Sequence, residues 1–228
     1  MKIVGILGAM DLEIELIKTS MNLLETVSSA GFNFYIGKIE ENKVVLTCCG
    51  VGKVNAAACT QMLIDKFNVD YIINTGIAGG MHKDVKVCDL VISSNVTHHD
   101  VRKGQMIQLF PFKECFEGDK YLIDIAQKAC EASKTEDWNY HIGRIVSGEC
   151  FVSDSELKQN IIDEYSPYCV EMEGASIGHV AHINGIPFIV MRSISDNADD
   201  NADITYDEFE RISANKSAGI ALNMIKMI

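Results

Sequence analysis

The chain is poor in basic residues, and arginine is especially scarce. Its 228 residues include 20 Lys and Arg against 32 Asp and Glu, giving a formal net charge of −12. The first hundred residues contain no arginine, and no basic cluster interrupts the acidic balance elsewhere. Because nucleic-acid surfaces need clustered positive charge, this composition argues against a nucleic-acid partner.

Long apolar runs are also missing. No run approaches the ~20 apolar residues that a membrane-spanning helix needs. The first ten residues are too short for a signal peptide and lack its cleavage pattern. We therefore expect a cytoplasmic protein with no membrane partner.

Paired cysteine motifs are absent as well. The eight cysteines include no C-x-x-C pair, and most lie in apolar runs, where a free cysteine behaves as a small core residue. Reduced thiols are expected. His98, His99 and Asp100, or His179 with His182, could bind a metal, but neither set has a partner motif of recognised spacing. We expect no metal and no cofactor.

Glycine-rich stretches occur, but none has the spacing of a nucleotide-phosphate loop. Residues 5–8 do not form G-x-G-x-x-G, and residues 50–53 lack the P-loop spacing. Residues 76–80 follow a predicted strand and let the backbone approach a ligand closely. A flat purine–ribose group suits this stretch as readily as a phosphate.

Strands and helices alternate along the chain without an internal repeat or a low-complexity linker. Periodicity predicts buried strands over 2–8, 70–74, 89–93, 140–146 and 186–196, and a hairpin over 32–48 around residues 40–42. It predicts helices over 53–67, 120–132, 155–164 and 207–228, and one beginning near residue 11 whose apolar repeat reaches Leu24. This pattern indicates one α/β domain over residues 1–228, with a central mixed β-sheet flanked by helices.

Three carboxylates lie near predicted strand ends or helix starts. Asp196 ends the apolar run after Pro187, Glu173 precedes a small-residue helix, and Glu13 lies in the first turn of the first helix. Polar groups at the carboxyl ends of buried strands commonly face the ligand crevice of an α/β protein. The pattern therefore indicates a site for a polar small molecule. Taken singly, each acid also fits a helix N-terminus or a turn.

Six segments in order resemble the methylthioadenosine/S-adenosylhomocysteine nucleosidases. They are residues 8–13, 50–57, 74–80, 146–151, 170–173 and 192–196, and the resemblance runs from residue 2 to about residue 225. The resemblance implies a three-layer α/β/α sandwich of the nucleoside phosphorylase type. It also implies a homodimer and hydrolysis of the N-glycosidic bond of methylthioadenosine and S-adenosylhomocysteine. Because an apolar 5′ pocket cannot strongly reject related 5′ substituents, 5′-deoxyadenosine is expected as a further substrate.

The resemblance also implies roles for individual residues. Asp196 matches the general acid that protonates N7 of adenine, and Glu13 matches the base that activates water. Glu173 matches the residue that hydrogen-bonds the ribose hydroxyls. The further substrate-binding positions, which include a purine wall, apolar contacts to the ribose and 5′ substituent, and two orienting polar residues, are Met10, Ile77, Ala78, Gly79, Phe151, Val152, Met172, Arg192 and Ser195.

The chain departs from the family pattern in two places. Many relatives have serine where this chain has Ile77, so orientation of Asp196 is expected to depend more on Ser195. The segment 98–116 is shorter than in other members of the family that it resembles. Leu109, Phe110 and Pro111 in this segment are candidates for completing the partner subunit's 5′ pocket. Tyr206 is a candidate for closing the site.

Two other functions are compatible with the same residues. A purine nucleoside phosphorylase would need cations beside the ribose to hold phosphate. Lys53 is the one candidate cation, and a single lysine offers little charge for binding phosphate. A nucleoside-binding sensor without catalysis would have no use for a water-activating Glu13. The sequence favours hydrolysis over both.

Overall fold

The computed structural model describes residues 1–199 and 201–228, and gives the backbone alone for residues 203 and 204. Within these residues, strands and helices alternate over most of the chain. The strands are β1 (Ile3–Gly8), β2 (Asn22–Ser29), β3 (Phe32–Ile39), β4 (Asn42–Cys48), β5 (Tyr71–Gly80), β6 (Leu90–His98), β7 (Phe116–Glu117), β8 (Tyr140–Ser147), β9 (Cys169–Glu171) and β10 (Phe188–Asp196). The helices are α1 (Asp11–Ser20), α2 (Lys53–Phe67), α3 (Lys103–Gln108), α4 (Lys120–Ser133), α5 (Ser155–Tyr165), α6 (Gly174–Asn184) and α7 (Ala202–Met227).

All the strands belong to one mixed sheet, as predicted. Its order is β10-β6-β8-β9-β5-β1-β4-β3-β2, with β7 beside β6. Strand β1 runs parallel to β4 and β5, and β5 runs parallel to β10, whereas β2, β3 and β4 form antiparallel pairs. Because β10 pairs with both β5 and β6, strands β5, β10, β6, β8 and β9 close into a ring. Because β1, β5 and β10 run parallel to one another, their carboxyl ends lie at the same edge of the sheet.

Helices cover both faces of the sheet, which confirms the three-layer architecture. Apolar residues of α1, α4 and α7 pack on one face, where they meet Ile6, Ile73 and Met191 of the strands. Apolar residues of α2 and α6 pack on the opposite face. The central strands are buried on both faces, which explains why their sequences are continuous apolar runs rather than alternating ones.

Most predicted elements are confirmed, but the first helix is shorter than its apolar repeat suggested. Helix α1 ends at Ser20, and Leu24 lies in β2 with 61% of its surface exposed. Pairing with β3 decides this segment, because Ala30 and Gly31 take positive φ and make the tight turn that joins the two strands. The prediction that the helical repeat includes Leu24 is therefore wrong.

Two other boundaries matter for function. Strand β5 continues to Gly80, so the glycine-rich stretch after residue 75 belongs to a strand rather than a loop. Helix α7 begins at Ala202, five residues before the predicted residue 207, and brings Tyr206 onto a helix.

Among the helices in the described ranges, none is both long and apolar enough to cross a bilayer.

Candidate active site

A cavity of about 690 Å³ opens where β1, β5 and β10 end. The structure brings every predicted site residue except Arg192 to its wall. Tyr206, the candidate for closing the site, also lines the cavity, as do residues that were not predicted, namely Ala9, Val51, Cys150, Val170, Glu171 and Asp207. The wall thus combines several carboxylates with methionine, aromatic and aliphatic side chains.

Glu13 is held at the base of the cavity by backbone donors. One carboxylate oxygen accepts the N–H groups of Ala9 at 2.6 Å and Met10 at 3.0 Å, and the other accepts that of Ile77 at 3.0 Å. Glu13 is almost completely buried. Burial raises the pKa of this carboxyl above its ordinary value, although Arg192 and the three N–H groups oppose the rise. Glu13 therefore enters the site with an enhanced affinity for a proton.

Arg192 lies behind the cavity wall, fully buried among carboxylates. Its Nη2 atom donates to Asn74 Oδ1 at 2.8 Å, to Glu171, and to Glu173 at 3.4 Å. Its Nη1 atom is 3.9 Å from Glu13 Oε1. Burial lowers the pKa of Arg192, but the three carboxylates outweigh burial and raise that pKa above its usual value. Arg192 is therefore a buried cation that forms ion pairs with all three carboxylates.

Glu173 projects into the cavity from the N-terminus of α6. Its Oε1 atom accepts the backbone N–H of Gly52, the N-cap residue of α2, at 2.8 Å. Burial, and after it the neighbouring Glu171 carboxylate, raise the pKa of Glu173 to about 8 against the opposing effects of Arg192 and the Gly52 N–H. At pH 7 the protonated form of this carboxyl is therefore favoured, and ionisation sets in as the pH approaches about 8.

Asp196 ends β10 and has donors on both of its oxygens. Ser195 Oγ lies 2.8 Å from Oδ2, and the Ala198 N–H donates to Oδ1 at 2.7 Å. Burial raises the pKa of Asp196, and these two donors oppose the rise. The Ile77 side chain is apolar and buried, and the Ser195 hydroxyl also lies 3.4 Å from the Ala78 carbonyl. Ser195 therefore supplies a hydroxyl contact to Asp196, which the apolar Ile77 side chain cannot supply.

The outer part of the cavity is apolar and aromatic. Phe151 is 43% exposed and meets the ring of Tyr206 edge-on, with the ring centroids 5.6 Å apart. The Tyr206 hydroxyl lies 3.5 Å from the Met10 sulfur. These contacts connect α7 to the start of α1 and to the loop after β8. An apolar substituent would therefore find apolar partners on this side.

Two residues of the carboxylate cluster were missed by the sequence analysis. Glu171 and Asn74 both contact Arg192 and are both buried, Asn74 in a predicted strand and Glu171 in the short strand β9, which was not predicted. A charged or amide side chain inside a buried strand needs a partner, because an unpaired polar group there is costly. That rule is the signal that could have found Asn74, whereas no strand was predicted around Glu171.

The histidines considered as metal ligands have other surroundings. His179 stacks on Phe116 with ring centroids 4.5 Å apart, and His98 meets His179 at 5.9 Å. Burial lowers the pKa of His98 to about 4, so its ring is neutral at pH 7. Among the residues described, no group of three or more His, Cys, Asp or Glu side chains is placed to hold a metal ion.

Comparison with known proteins identifies the family. The phosphorylase superfamily profile matches residues 3–226. The 5′-methylthioadenosine/S-adenosylhomocysteine nucleosidase of Halalkalibacterium halodurans is 40% identical, over 97% of this chain and 97% of that protein. This chain belongs to the methylthioadenosine/S-adenosylhomocysteine nucleosidase family. The predicted family resemblance is thus confirmed over nearly the whole chain.

Solved structures agree with this assignment. The nucleosidase of the same name from Neisseria meningitidis, in complex with methylthio-immucillin-A, is 36% identical with a TM-score of 0.93, covering 100% of both chains. The native futalosine hydrolase of Helicobacter pylori is 30% identical with a TM-score of 0.91, covering 100% of this chain and 98% of that one. A hydrolase with a different name therefore shares this fold.

The segment expected to serve a partner subunit lies away from this nucleosidase cavity. Leu109, Phe110 and Pro111 line a separate depression of about 370 Å³, together with residues of α3 and His179. Leu109 and Phe110 are 57% and 67% exposed. Their own chain leaves them largely uncovered, and they do not reach its own carboxylate cluster.

Proposed function

We propose that this protein hydrolyses the N-glycosidic bond of 5′-methylthioadenosine and S-adenosylhomocysteine, releasing adenine and the 5′-thio-ribose. The supporting observation is a cavity with carboxylates at its base and no lysine or arginine among the described residues that line it. A phosphorylase needs cations to hold phosphate beside the ribose. Lys53, the candidate cation for binding phosphate, forms a salt bridge with Asp100, in which Nζ and Oδ1 are 2.6 Å apart. Water is therefore the better nucleophile for this site.

Asp196 is proposed as the general acid. Glycosidic cleavage proceeds through an oxocarbenium-like state, so the leaving base must not depart as an anion. A proton from Asp196 to N7 makes adenine a neutral leaving group. Burial favours the protonated form that this step needs, and Ser195 and the Ala198 N–H orient the carboxyl. Val152 is proposed to contact the purine through its backbone, and Phe151 by stacking.

Glu13 is proposed as the base and Glu173 as the ribose-binding acid. Glu13 takes one proton from the attacking water, whose oxygen forms the new bond to the anomeric carbon. Glu173 accepts hydrogen bonds from the ribose 2′- and 3′-hydroxyls. Positive charge developing on the sugar favours the ionised form of Glu173, which is within reach at neutral pH because the pKa of this group is about 8. The stabilisation therefore grows as the bond breaks.

The 5′ substituent is proposed to lie against Met10 and Met172. Both line the cavity, and the Tyr206 hydroxyl lies 3.5 Å from the Met10 sulfur. An apolar wall of this kind discriminates among small apolar groups by only about 1–3 kcal/mol. 5′-Deoxyadenosine is therefore proposed as a further substrate. The backbone of Ile77, Ala78 and Gly79 is proposed to border the nucleoside.

Residues 1–228 are proposed to act as one nucleosidase domain and to form a homodimer. The exposed apolar side chains of Leu109, Phe110 and Phe112 support a partner contact at this surface. Leu109→Asp should shift the protein toward monomers in sedimentation and raise KM for methylthioadenosine. An unchanged sedimentation coefficient would remove this surface from the proposal.

The protein is proposed to work in a reducing location such as the cytoplasm. All eight cysteines are unpaired, which supports this location.

The deciding experiment is an assay with methylthioadenosine in phosphate-free buffer. We expect adenine release at the same rate with and without added phosphate, and a free sugar as the second product. Release that requires phosphate, with accumulation of a ribose 1-phosphate, would mean that the protein is a phosphorylase. Saturable binding without turnover would mean a nucleoside sensor.

A further inference from the structure

We infer that Glu171 is a positioning residue, which fixes the start of α6 and the Arg192 guanidinium so that Glu173 faces the ribose. The inference rests on the proposed function, since it concerns how Glu173 is presented to the substrate. Glu171 itself is buried at the back of the cavity, and the roles given above to Glu13, Glu173 and Asp196 do not include it.

The Glu171 carboxylate has donors on both oxygens. Its Oε2 atom accepts the N–H groups of Glu173 at 3.0 Å and Gly174 at 2.7 Å, and also Nη2 of Arg192. Its Oε1 atom accepts the hydroxyl of Ser147. A carboxylate is the side chain suited to this set, because it offers acceptor sites alone and no donor.

These contacts form an N-terminal cap built from outside the helix. Glu173 is the N-cap residue of α6, and its own side chain makes no capping hydrogen bond. Glu171 takes the first two N–H groups, and Ser147 Oγ takes the third, from Ala175, at 2.7 Å. Negative charge at a helix N-terminus is also favoured by the helix dipole. The direction in which Glu173 leaves the helix is thereby set by Glu171 and Ser147.

The residue after Glu173 leaves room for this arrangement. An added Cβ on Gly174 would stand 3.2 Å from both oxygens of Glu171 and 3.0 Å from Val190. Strand β9 itself is short, with Glu171 as its last residue, so the turn from 171 to 174 depends on side-chain hydrogen bonds more than on sheet pairing. Loss of the Glu171 charge should therefore move Glu173 without removing it.

The test compares wild type with Glu171→Gln on two substrates, methylthioadenosine and its 2′,3′-dideoxy analogue, in phosphate-free buffer. The amide replaces an acceptor by a donor that faces other donors. A displacement of about 1 Å at a positioned group can cost about 10²-fold in rate, and we expect a loss of that order in kcat/KM for methylthioadenosine. The loss should be much smaller for the analogue, which lacks the hydroxyls that Glu173 binds.

Two further variants keep the test decisive. Ser147→Ala removes one hydrogen bond of Glu171 and the acceptor of the Ala175 N–H but leaves the Glu171 charge, so it should show a smaller loss that is again confined to the full substrate. Glu41→Gln changes an exposed carboxylate in the β3–β4 turn and should behave like wild type.

The outcomes separate this inference from the proposed function. A wild-type protein that does not cleave methylthioadenosine without phosphate would overturn the proposed function. An active wild type with Glu171→Gln losing activity equally on both substrates, or losing none, would overturn the positioning role. If Glu171→Gln does not fold, an equal loss on both substrates in Ser147→Ala overturns it, and a loss confined to the full substrate supports it.

Discussion

Asp196 and Glu13 are both buried carboxyl groups with raised pKa values, yet the proposed reaction asks opposite things of them. Asp196 must carry a proton before the glycosidic bond breaks, and burial helps it do so. Glu13 must be free to accept one, and burial opposes this. The nearby Arg192 guanidinium and three N–H donors favour the ionised form of Glu13. The different surroundings thus let two similar residues act as acid and base.

Substitution should separate these two roles. Asp196→Asn removes the acid, so kcat should fall by at least about 10²-fold, the lower end for a proton-transfer group. Glu13→Gln should abolish turnover while a non-hydrolysable adenosine analogue still binds, measured by calorimetry. Asp124→Asn, at an exposed site on α4, serves as the control. Wild-type turnover in Asp196→Asn would remove the proposed acid.

Glu173 should make the stability of the protein depend on pH. Its pKa is about 8 in the folded state against an ordinary value of 4.5. Between these values the folded state binds more protons than the unfolded state, so the contribution of this group is complete at low pH and is lost as pH rises through about 8.

The variant Glu173→Gln cannot titrate at this position. Its Tm should therefore rise relative to wild type between about pH 5 and pH 9, by a few degrees, since ~1 kcal/mol shifts Tm by about 2–4 °C at this chain length. Differential scanning calorimetry across the range measures the difference. A Tm difference that stays constant with pH would contradict the raised pKa of Glu173.

At the level of single residues, the sequence located the proposed reacting carboxylates better than the residues that hold Arg192. Glu13, Glu173 and Asp196 lie at strand ends or helix starts, and a local pattern locates such positions. Glu171 and Asn74 hydrogen-bond Arg192, and these contacts join three separate strands, β5, β9 and β10. Only the sheet order brings these side chains together, and periodicity does not supply that order.

At the level of elements, the close approach of β5 and β10 depends on Gly76. An added Cβ there would overlap Nη1 of Arg192 and Oε1 of Glu13. Gly76→Ala should therefore lower stability by about 1–3 kcal/mol, as overpacking in a core does, and should lower kcat/KM by at least tenfold (~1.4 kcal/mol) because Glu13 moves.

Gly219→Ala is the matched control in α7. Nothing outside its own helix lies within 4 Å of the added Cβ, so the substitution should leave activity unchanged and raise stability by about 0.5–1 kcal/mol. Urea denaturation and steady-state kinetics on the two variants give both quantities. Full activity in Gly76→Ala would contradict the packing described for Glu13 and Arg192.

Secondary structure was predictable where local pattern and tertiary pairing agree. Helix α2 has the bounds that its periodicity predicted, and the β3–β4 hairpin lies around its polar turn. Strand β2 was missed because an apolar repeat carried the helix pattern across Met21, and pairing with β3 overrode it. The short strands β7 and β9 have too few residues to show any period.

For the whole molecule, the surface charge and the cavity point to the same substrates. A net charge of −12 and a cavity with carboxylates at its base disfavour a substrate that carries phosphate. The apolar outer wall favours a thioether or a hydrogen at the 5′ position. S-adenosylhomocysteine fits if its charged tail extends from the cavity toward solvent.

The most direct test of the central claim is kcat/KM measured in phosphate-free buffer for methylthioadenosine, S-adenosylhomocysteine, 5′-deoxyadenosine, adenosine, inosine and AMP. We expect methylthioadenosine and S-adenosylhomocysteine to be cleaved best, 5′-deoxyadenosine to follow, and AMP to be refused. A clear preference for AMP or inosine would contradict this account and place the protein in another branch of the fold.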